Sequence, residues 1–304
     1  MSEVLKPPAS FSRRQFLKLS AVTMGSAALA AGHLGPAEAA SGINRDTVPA
    51  MLIDLSRCVG CGNCQRSCIA ANGLQPTEKD LGSLSAETFT FVERHDLEGG
   101  QTRWVKRQCM HCLDAACASA CPVSALYQTK EGPIAYRAER CLGCRYCMIS
   151  CPFGVPRFEW DDGLTPEIRK CMFCIERQRA GQAPACAENC PSGALRLGTR
   201  GELLQVAHAR IAAGSGFYVD HVYGEHEAGG TAMLYMSDVP FALLGFRKEV
   251  TERPVPAYTW DVMSKLPVVV GGLALVLTGA SALTRRRNGS HHDDVPPWER
   301  PEQQ

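Results

Sequence analysis

The sequence predicts an α+β fold: a domain built on an internal repeat with insertions, followed by one C-terminal transmembrane helix. Three observations predict it. Sixteen cysteines fall into four groups of four, all between Cys58 and Cys190 of a chain of 304 residues. A short strand-like stretch stands beside each group. Finally, LPVVVGGLALVLTGASALT, residues 266–284, carries no charged side chain.

Charge narrows the function classes. Lys and Arg number 32 against 31 Asp and Glu, a net charge of +1. No global field draws in nucleic acid or an acidic partner, so neither is expected.

Taken in order, the chain opens on an address. Ser12-Arg13-Arg14-Gln15-Phe16-Leu17-Lys18, a weakly apolar run from Leu19 to Leu34 and the small-residue site Ala37-Glu38-Ala39 read as a twin-arginine signal peptide over 1–39, cleaved after Ala39. That route exports proteins already folded, which suits a cofactor inserted in the cytoplasm.

The cysteine groups follow. Cys58, Cys61, Cys64 and Cys68 form the first, and Cys109, Cys112, Cys117 and Cys121 the second. Cys141, Cys144, Cys147 and Cys151 form the third, and Cys171, Cys174, Cys186 and Cys190 the fourth. Groups one and three are spaced C-x2-C-x2-C-x3-C; group two widens the middle gap to four residues and group four widens it to eleven. The predicted strands are MLIDL at 51–55, RWVKR at 103–107, IAYR at 134–137 and ALRLG at 194–198. Glu131-Gly132-Pro133 supplies a hairpin turn before IAYR. Strands, cysteine loops and short helical turns over 40–200 suggest a duplicated two-cluster ferredoxin-like domain, with 70–100 as an insertion.

Thr199-Arg200-Gly201-Glu202 has capping-box spacing, and Leu204, Ala207 and Ile211 follow at helical intervals, predicting a helix over 200–212 packed on the domain. The rest of 201–262 reads as a loop-rich connector. The apolar stretch 266–284, at about 1.5 Å per residue, reaches roughly the thickness of a hydrocarbon core. Lys265 precedes it and Arg285-Arg286-Arg287 follow, so positive charge concentrates on the carboxyl side. The C-terminus is then cytoplasmic and the cluster domain lies on the periplasmic face of the cytoplasmic membrane. Residues 285–304 are polar and expected to be a disordered cytoplasmic tail.

An iron-sulfur cube offers one open position on each of four irons, and soft thiolates fill them. Two-residue gaps wrap three thiolates around three corners. In the bacterial two-cluster arrangement the fourth cysteine, followed by proline, serves the other cluster. Pro122, Pro152 and Pro191 stand there in groups two, three and four, and Ile69 in group one. Sixteen thiols thus supply four 4Fe-4S clusters. Three other uses of the thiols were weighed. Disulfides suit an exported chain, but the gaps are short and the chain is well above the size that needs staples. Zinc ribbons separate their cysteine pairs by a longer loop. A single cluster pair with spare cysteines would leave half the repeat without purpose.

Other residues take lesser roles. His111 reads as a shell or surface residue, because four corners are already filled. Arg57, Arg107, Arg140 and Lys170 stand close to the first cysteines, where cations would stabilise an anionic cluster. His291-His292-Asp293-Asp294 reads as part of a solvated tail. No nucleophile–base pair, phosphate loop or open metal site is visible, so no catalytic residue is assigned.

Over roughly residues 50–245 the chain resembles the four-cluster electron-transfer subunits that accompany molybdopterin oxidoreductases and some nickel-iron hydrogenases. The resemblance is strongest to the membrane-anchored ferredoxin-type subunit of hydrogenase-2. It rests on RRQFLK (13–18), QCMHC (108–112), CPVSAL (121–126), GCRYCM (143–148), YGEHEAGGT (223–231) and the single helix before RRR. The resemblance implies four ligand sets: Cys58, Cys61, Cys64 and Cys190; Cys68, Cys171, Cys174 and Cys186; Cys109, Cys112, Cys117 and Cys151; and Cys121, Cys141, Cys144 and Cys147. It also implies an electron relay without substrate chemistry of its own, held in the lipid bilayer. Its partners would be the small and large subunits of a periplasmic nickel-iron hydrogenase and an integral membrane quinone-reactive subunit. The same relay could instead serve a molybdopterin enzyme such as a formate dehydrogenase or a sulfur-compound or sulfoxide reductase. A reading from another class is an envelope scaffold stabilised by zinc or disulfides.

Overall fold

The structure, a computed structural model, describes residues 42–289. The signal segment and the His291–Asp294 run lie outside the described residues. One compact unit extends to Tyr258 and a second begins at Thr259.

The first unit is organised around strand β1 (Pro49–Asp54), in which Ala50, Met51, Leu52 and Ile53 are all buried. This unbroken apolar run is what a strand covered on both faces requires. A 3-10 turn leads from β1 to Cys58, and helix α1 (Asn63–Asn72) carries Cys64 and Cys68. Strands β2 (Phe91–Asp96) and β3 (Thr102–Arg107) pair antiparallel. The segment 70–100 therefore holds the end of α1, a second short 3-10 turn and all of β2.

Helix α2 (Ala116–Ser119) carries Cys117, and strands β4 (Leu126–Gln128) and β5 (Ile134–Tyr136) form a hairpin. Gly132 turns that hairpin with φ at +115°, a conformation glycine adopts without steric cost. Helix α3 (Tyr146–Ser150) carries Cys147, and a small hairpin of β6 (Arg157–Phe158) and β7 (Ile168–Arg169) follows. Helices α4 (Ile175–Arg179) and α5 (Ala185–Glu188) bring in the fourth group. Strand β8 (Leu195–Thr199) then returns antiparallel to β1, with Ile53 opposite Leu195. Helix α6 (Arg200–Ala213) starts on a reciprocal cap between Thr199 and Glu202. Its Leu203 and Ala207 are buried, while Leu204 and Ile211 are half-buried.

The segment after α6 is more than a connector. It supplies strand β9 (Met233–Met236), which pairs parallel to β1 and completes a sheet of order β8-β1-β9. On one face of this sheet Met51, Ile53, Met233 and Tyr235 pack with Val105, Met110, Phe173, Phe241 and Phe246. On the other, Ala50, Leu52, Leu234 and Met236 pack with Leu203 and Ala207 of α6. The repeat seen in the cysteine spacing is not mirrored by equal sheets, because the other three pairings are two-stranded.

Helix α7 (Val255–Met263) leads to the second unit's helix α8 (Leu266–Gly289), which continues past Thr284. The span Val255–Thr284 is one helical stretch long and apolar enough to cross a membrane. Its Val268, Val269, Leu275 and Val276 are exposed, as a lipid-facing surface would be.

Candidate iron-sulfur sites

All four groups begin Cys-x-x-Cys, and in all four the residue before the second cysteine is left-handed. Gly60 has φ +70°, His111 +48°, Gly143 +64° and Phe173 +55°. This turn aims the N–H of that residue back at the first sulfur. The Gly143 N–H donates to Cys141 Sγ at 3.4 Å and the Phe173 N–H to Cys171 Sγ at 3.4 Å. Burial raises the Cys58 thiol, and the Gly60 N–H opposes that rise. At the other end of groups two and three the backbone again donates to sulfur: Ala125 N–H to Cys121 Sγ at 3.2 Å and Val155 N–H to Cys151 Sγ at 3.5 Å. Such bonds favour the charged form of sulfur.

The folded chain gathers thiols from different groups. Cys58, Cys61, Cys64 and Cys190 line one cavity. Cys68, Cys171, Cys174 and Cys186 line a second. Cys121, Cys141, Cys144 and Cys147 line a third. Around Cys112 stand Cys151, Cys109 and Cys117, each close enough for its charge to raise the Cys112 thiol beyond the rise that burial causes. Each set takes three cysteines from one group and the fourth from a group distant in sequence.

These sets form a row. Cys68 feels both Cys186 of its own set and Cys64 of the first. Cys171 feels Cys109 across the middle, and Cys117 feels Cys147 of the last set. The ends of the row are open: Cys61 and Cys144 are exposed, whereas Cys68, Cys109 and Cys117 are buried.

The donor sets suit a cubane better than a single ion. All sixteen thiols are free of disulfides. In three of the sets all four thiols line one shared cavity, so four sulfur donors face a common space. Among the described residues no three His, Cys, Asp or Glu side chains converge on one point as a lone zinc ion requires. Without a metal, burial keeps protons on several of the thiols: it pushes Cys68 and Cys117 up to about 12 and Cys147 up to about 11. Iron must displace those protons, so loading and folding are linked. Cys190 shifts the other way, its thiol lowered, against the effect of burial, by the Ser192 hydroxyl and the N–H groups of Leu195 and Ala194.

Of the four cations singled out in the sequence, Arg57 and Arg140 are exposed. Arg107 is engaged by Glu93 at 2.7 Å and by the Leu244 carbonyl. Lys170 is buried, donating to the Ile134 carbonyl at 2.6 Å and the Cys171 carbonyl at 3.0 Å. His111 is no surface residue. It is 1% exposed, accepts the Ile134 N–H at Nδ1 (3.1 Å) and stacks on Phe173 with centroids 5.3 Å apart. Burial, then the nearby Lys170 and Lys106, keep its imidazole neutral well below the ordinary histidine range.

Sequence reasoning missed Lys106, a buried cation at the sites. It lines both the Cys58 and the Cys68 cavities and is 3% exposed. Strand periodicity puts it on the same face of β3 as Trp104, which packs over Gly60 of the first loop, but only the fold shows which thiols that face meets.

Residues 101–200 match the 4Fe-4S dicluster domain family. A Nitratidesulfovibrio vulgaris protein is 40% identical, covering 90% of this chain and 77% of its own length. The hydrogenase-2 operon protein HybA of Shigella flexneri is 33% identical, covering 93% of this chain and 98% of its own. The formate dehydrogenase iron-sulfur subunit of Haemophilus influenzae is 32% identical, covering 74% and 77%.

Proposed function

The chain belongs to the family of iron-sulfur electron-transfer subunits that includes HybA and the formate dehydrogenase iron-sulfur subunits, and from that premise we propose that it carries electrons between a periplasmic nickel-iron hydrogenase and a quinone-reactive membrane subunit. The observation that carries this reading is the row of four thiol sets with an exposed cysteine at either end. A bound 4Fe-4S cluster supplies a one-electron carrier. The chain supplies everything else: thiolates to hold it, N–H groups and cations to stabilise added charge, and apolar walls to keep water out.

In this reading Cys58, Cys61, Cys64 and Cys190 hold one cluster, and Cys68, Cys171, Cys174 and Cys186 its neighbour. Cys109, Cys112, Cys117 and Cys151 hold the third, and Cys121, Cys141, Cys144 and Cys147 the fourth. Groups one and four then form one two-cluster unit and groups two and three another, which is the duplication the spacing suggests. Partners reach the row at the Cys61 end and the Cys144 end. Residues 266–284 anchor the chain, and Arg285-Arg286-Arg287 keep its C-terminus in the cytoplasm. The twin-arginine segment sends the loaded domain to the periplasmic face.

A molybdopterin partner is the second reading, favoured by the formate dehydrogenase subunits among the relatives. Metal analysis of the complex purified through this subunit separates the two. Iron in excess with nickel supports the hydrogenase relay. Iron with molybdenum or tungsten and no nickel replaces the partner, and zinc without iron refutes the relay altogether.

A further inference from the structure

The first two thiol sets share a wall, and a cation is built into it. Lys106, at the end of β3, lines the cavity of Cys58, Cys61, Cys64 and Cys190 and also that of Cys68, Cys171, Cys174 and Cys186. Its ammonium donates to Gln108 Oε1 at 2.8 Å. Gln108 Nε2 donates to the Tyr235 hydroxyl at 2.9 Å, and that hydroxyl donates to the Lys106 carbonyl at 2.8 Å. The closed ring fixes the side chain, and Gln108, Tyr235 and Lys106 are themselves buried. Among the described residues no carboxylate is paired with this ammonium. The ionisable groups facing it are thiols of both sets, Cys64, Cys171 and Cys186, and the neutral Tyr235 hydroxyl. A buried charge without a carboxylate is costly unless its surroundings carry the opposite sign, and two loaded sets would provide that sign.

We propose that Lys106 is a shared potential-setting residue, one fixed positive charge that raises the reduction potential of both clusters flanking it. An electron arriving between either set of thiols adds one negative charge there. The same ammonium stabilises that added charge on either side, in a region of low dielectric where screening is weak. The two steps nearest the Cys61 end of the row are thereby shifted upward together. The cavity of Cys121, Cys141, Cys144 and Cys147 lacks this residue, and the two sets that Lys106 lines are those at the Cys61 end of the row. This rests on the assignment of the thiols as cluster ligands.

The test is a redox titration, followed by electron paramagnetic resonance, of the intact membrane complex carrying Lys106→Met, Lys106→Gln or Lys106→Arg, with iron measured in each. With iron retained, the neutral variants should shift two centres to lower potential, each by about tenfold in the reduced-to-oxidised ratio, which is 59 mV for one electron. Lys106→Arg should leave both near the wild-type value. Full iron with no centre moved, or with all four moved alike, overturns the proposal and leaves the relay intact. Iron lost from both neutral variants but kept by Lys106→Arg supports a requirement for the charge. Iron lost from all three variants overturns it in favour of a packing role. Wild-type complex without iron in this subunit refutes the ligand assignment itself.

Discussion

The outer cysteine sets, at Cys61 and Cys144, and the inner ones between them use the same left-handed turn but dress it differently. In the outer loops the turning residue is glycine, Gly60 or Gly143, and the neighbouring Val59 and Leu142 are 63% and 69% exposed. In the inner loops it is His111 or Phe173, each 1% exposed and stacked on the other. Bulky side chains rarely occupy this region because of backbone strain. The inner loops hold them there because each ring is enclosed by the core. Thin walls at the ends suit exchange with partners, and thick walls in the middle suit insulation.

Ligand loss tests that difference most severely. Cys144→Ser should remove about four irons and spare the rest, because each cubane carries four. Cys171→Ser should cost more iron than its own cluster, since Cys171 lies close to Cys68 of its own set, Cys109 of the next and Lys106. Iron per protein measures both. Equal losses would break the distinction between inner and outer sets.

The inner stack comes next. Phe173→Ala should destabilise the loaded protein by about 3–5 kcal/mol, the usual cost of emptying a buried aromatic site. Denaturant unfolding followed by the visible absorbance of the clusters reads it. A loss below about 1 kcal/mol would mean that the ring is not what closes the middle of the row.

Much of this was legible in the sequence. The spacing of the cysteines, the strands at 51–55 and 103–107, the turn at Glu131-Gly132-Pro133 and the cap at Thr199 and Glu202 are all local signals, and local chemistry produced the corresponding elements. Strand β9 was hidden because GEHEAGGT, directly before it, reads as loop. It becomes a strand only because β1 offers an open edge from far away in the chain. Lys106 was hidden for a similar reason. Its role depends on Cys64 and Cys186 converging on it, and no spacing within RWVKR announces that. The contrast between inner and outer loops was only half visible: CMHC and CMFC differ from CVGC and CLGC at both intervening residues, but the left-handed φ that all four share and the burial of His111 and Phe173 are decided by the fold.

Adding a carbon to the outer loops should hurt unequally. A Cβ on Gly60 would sit 2.3 Å from the Trp104 ring, whereas on Gly143 it would stand 3.6 Å from Phe158. Gly60→Ala should cost about 2–4 kcal/mol, combining left-handed strain with overpacking. Gly143→Ala should cost only about 1–2 kcal/mol, from strain alone. Removing the ring with Trp104→Ala in the Gly60→Ala background should recover the overpacking part, which a double-mutant cycle isolates.

The smallest effect separates strain from contact at the Cys144 rim. Arg145, with φ +62°, begins α3, and its guanidinium lies 5.3 Å from the Phe158 ring centre and 5.0 Å from that of Trp160. Arg145→Ala and Arg145→Gly both lose these contacts, worth about 0.5–1 kcal/mol at an exposed site. Only glycine also relieves the left-handed backbone. Arg145→Gly should therefore be more stable than Arg145→Ala by about 1 kcal/mol and close to wild type, because relief and loss nearly cancel. Thermal unfolding of the loaded variants resolves that gap. If Arg145→Ala equals Arg145→Gly, the rim backbone is mobile enough to escape the left-handed turn, and the outer loops are then held by their cluster rather than by the chain.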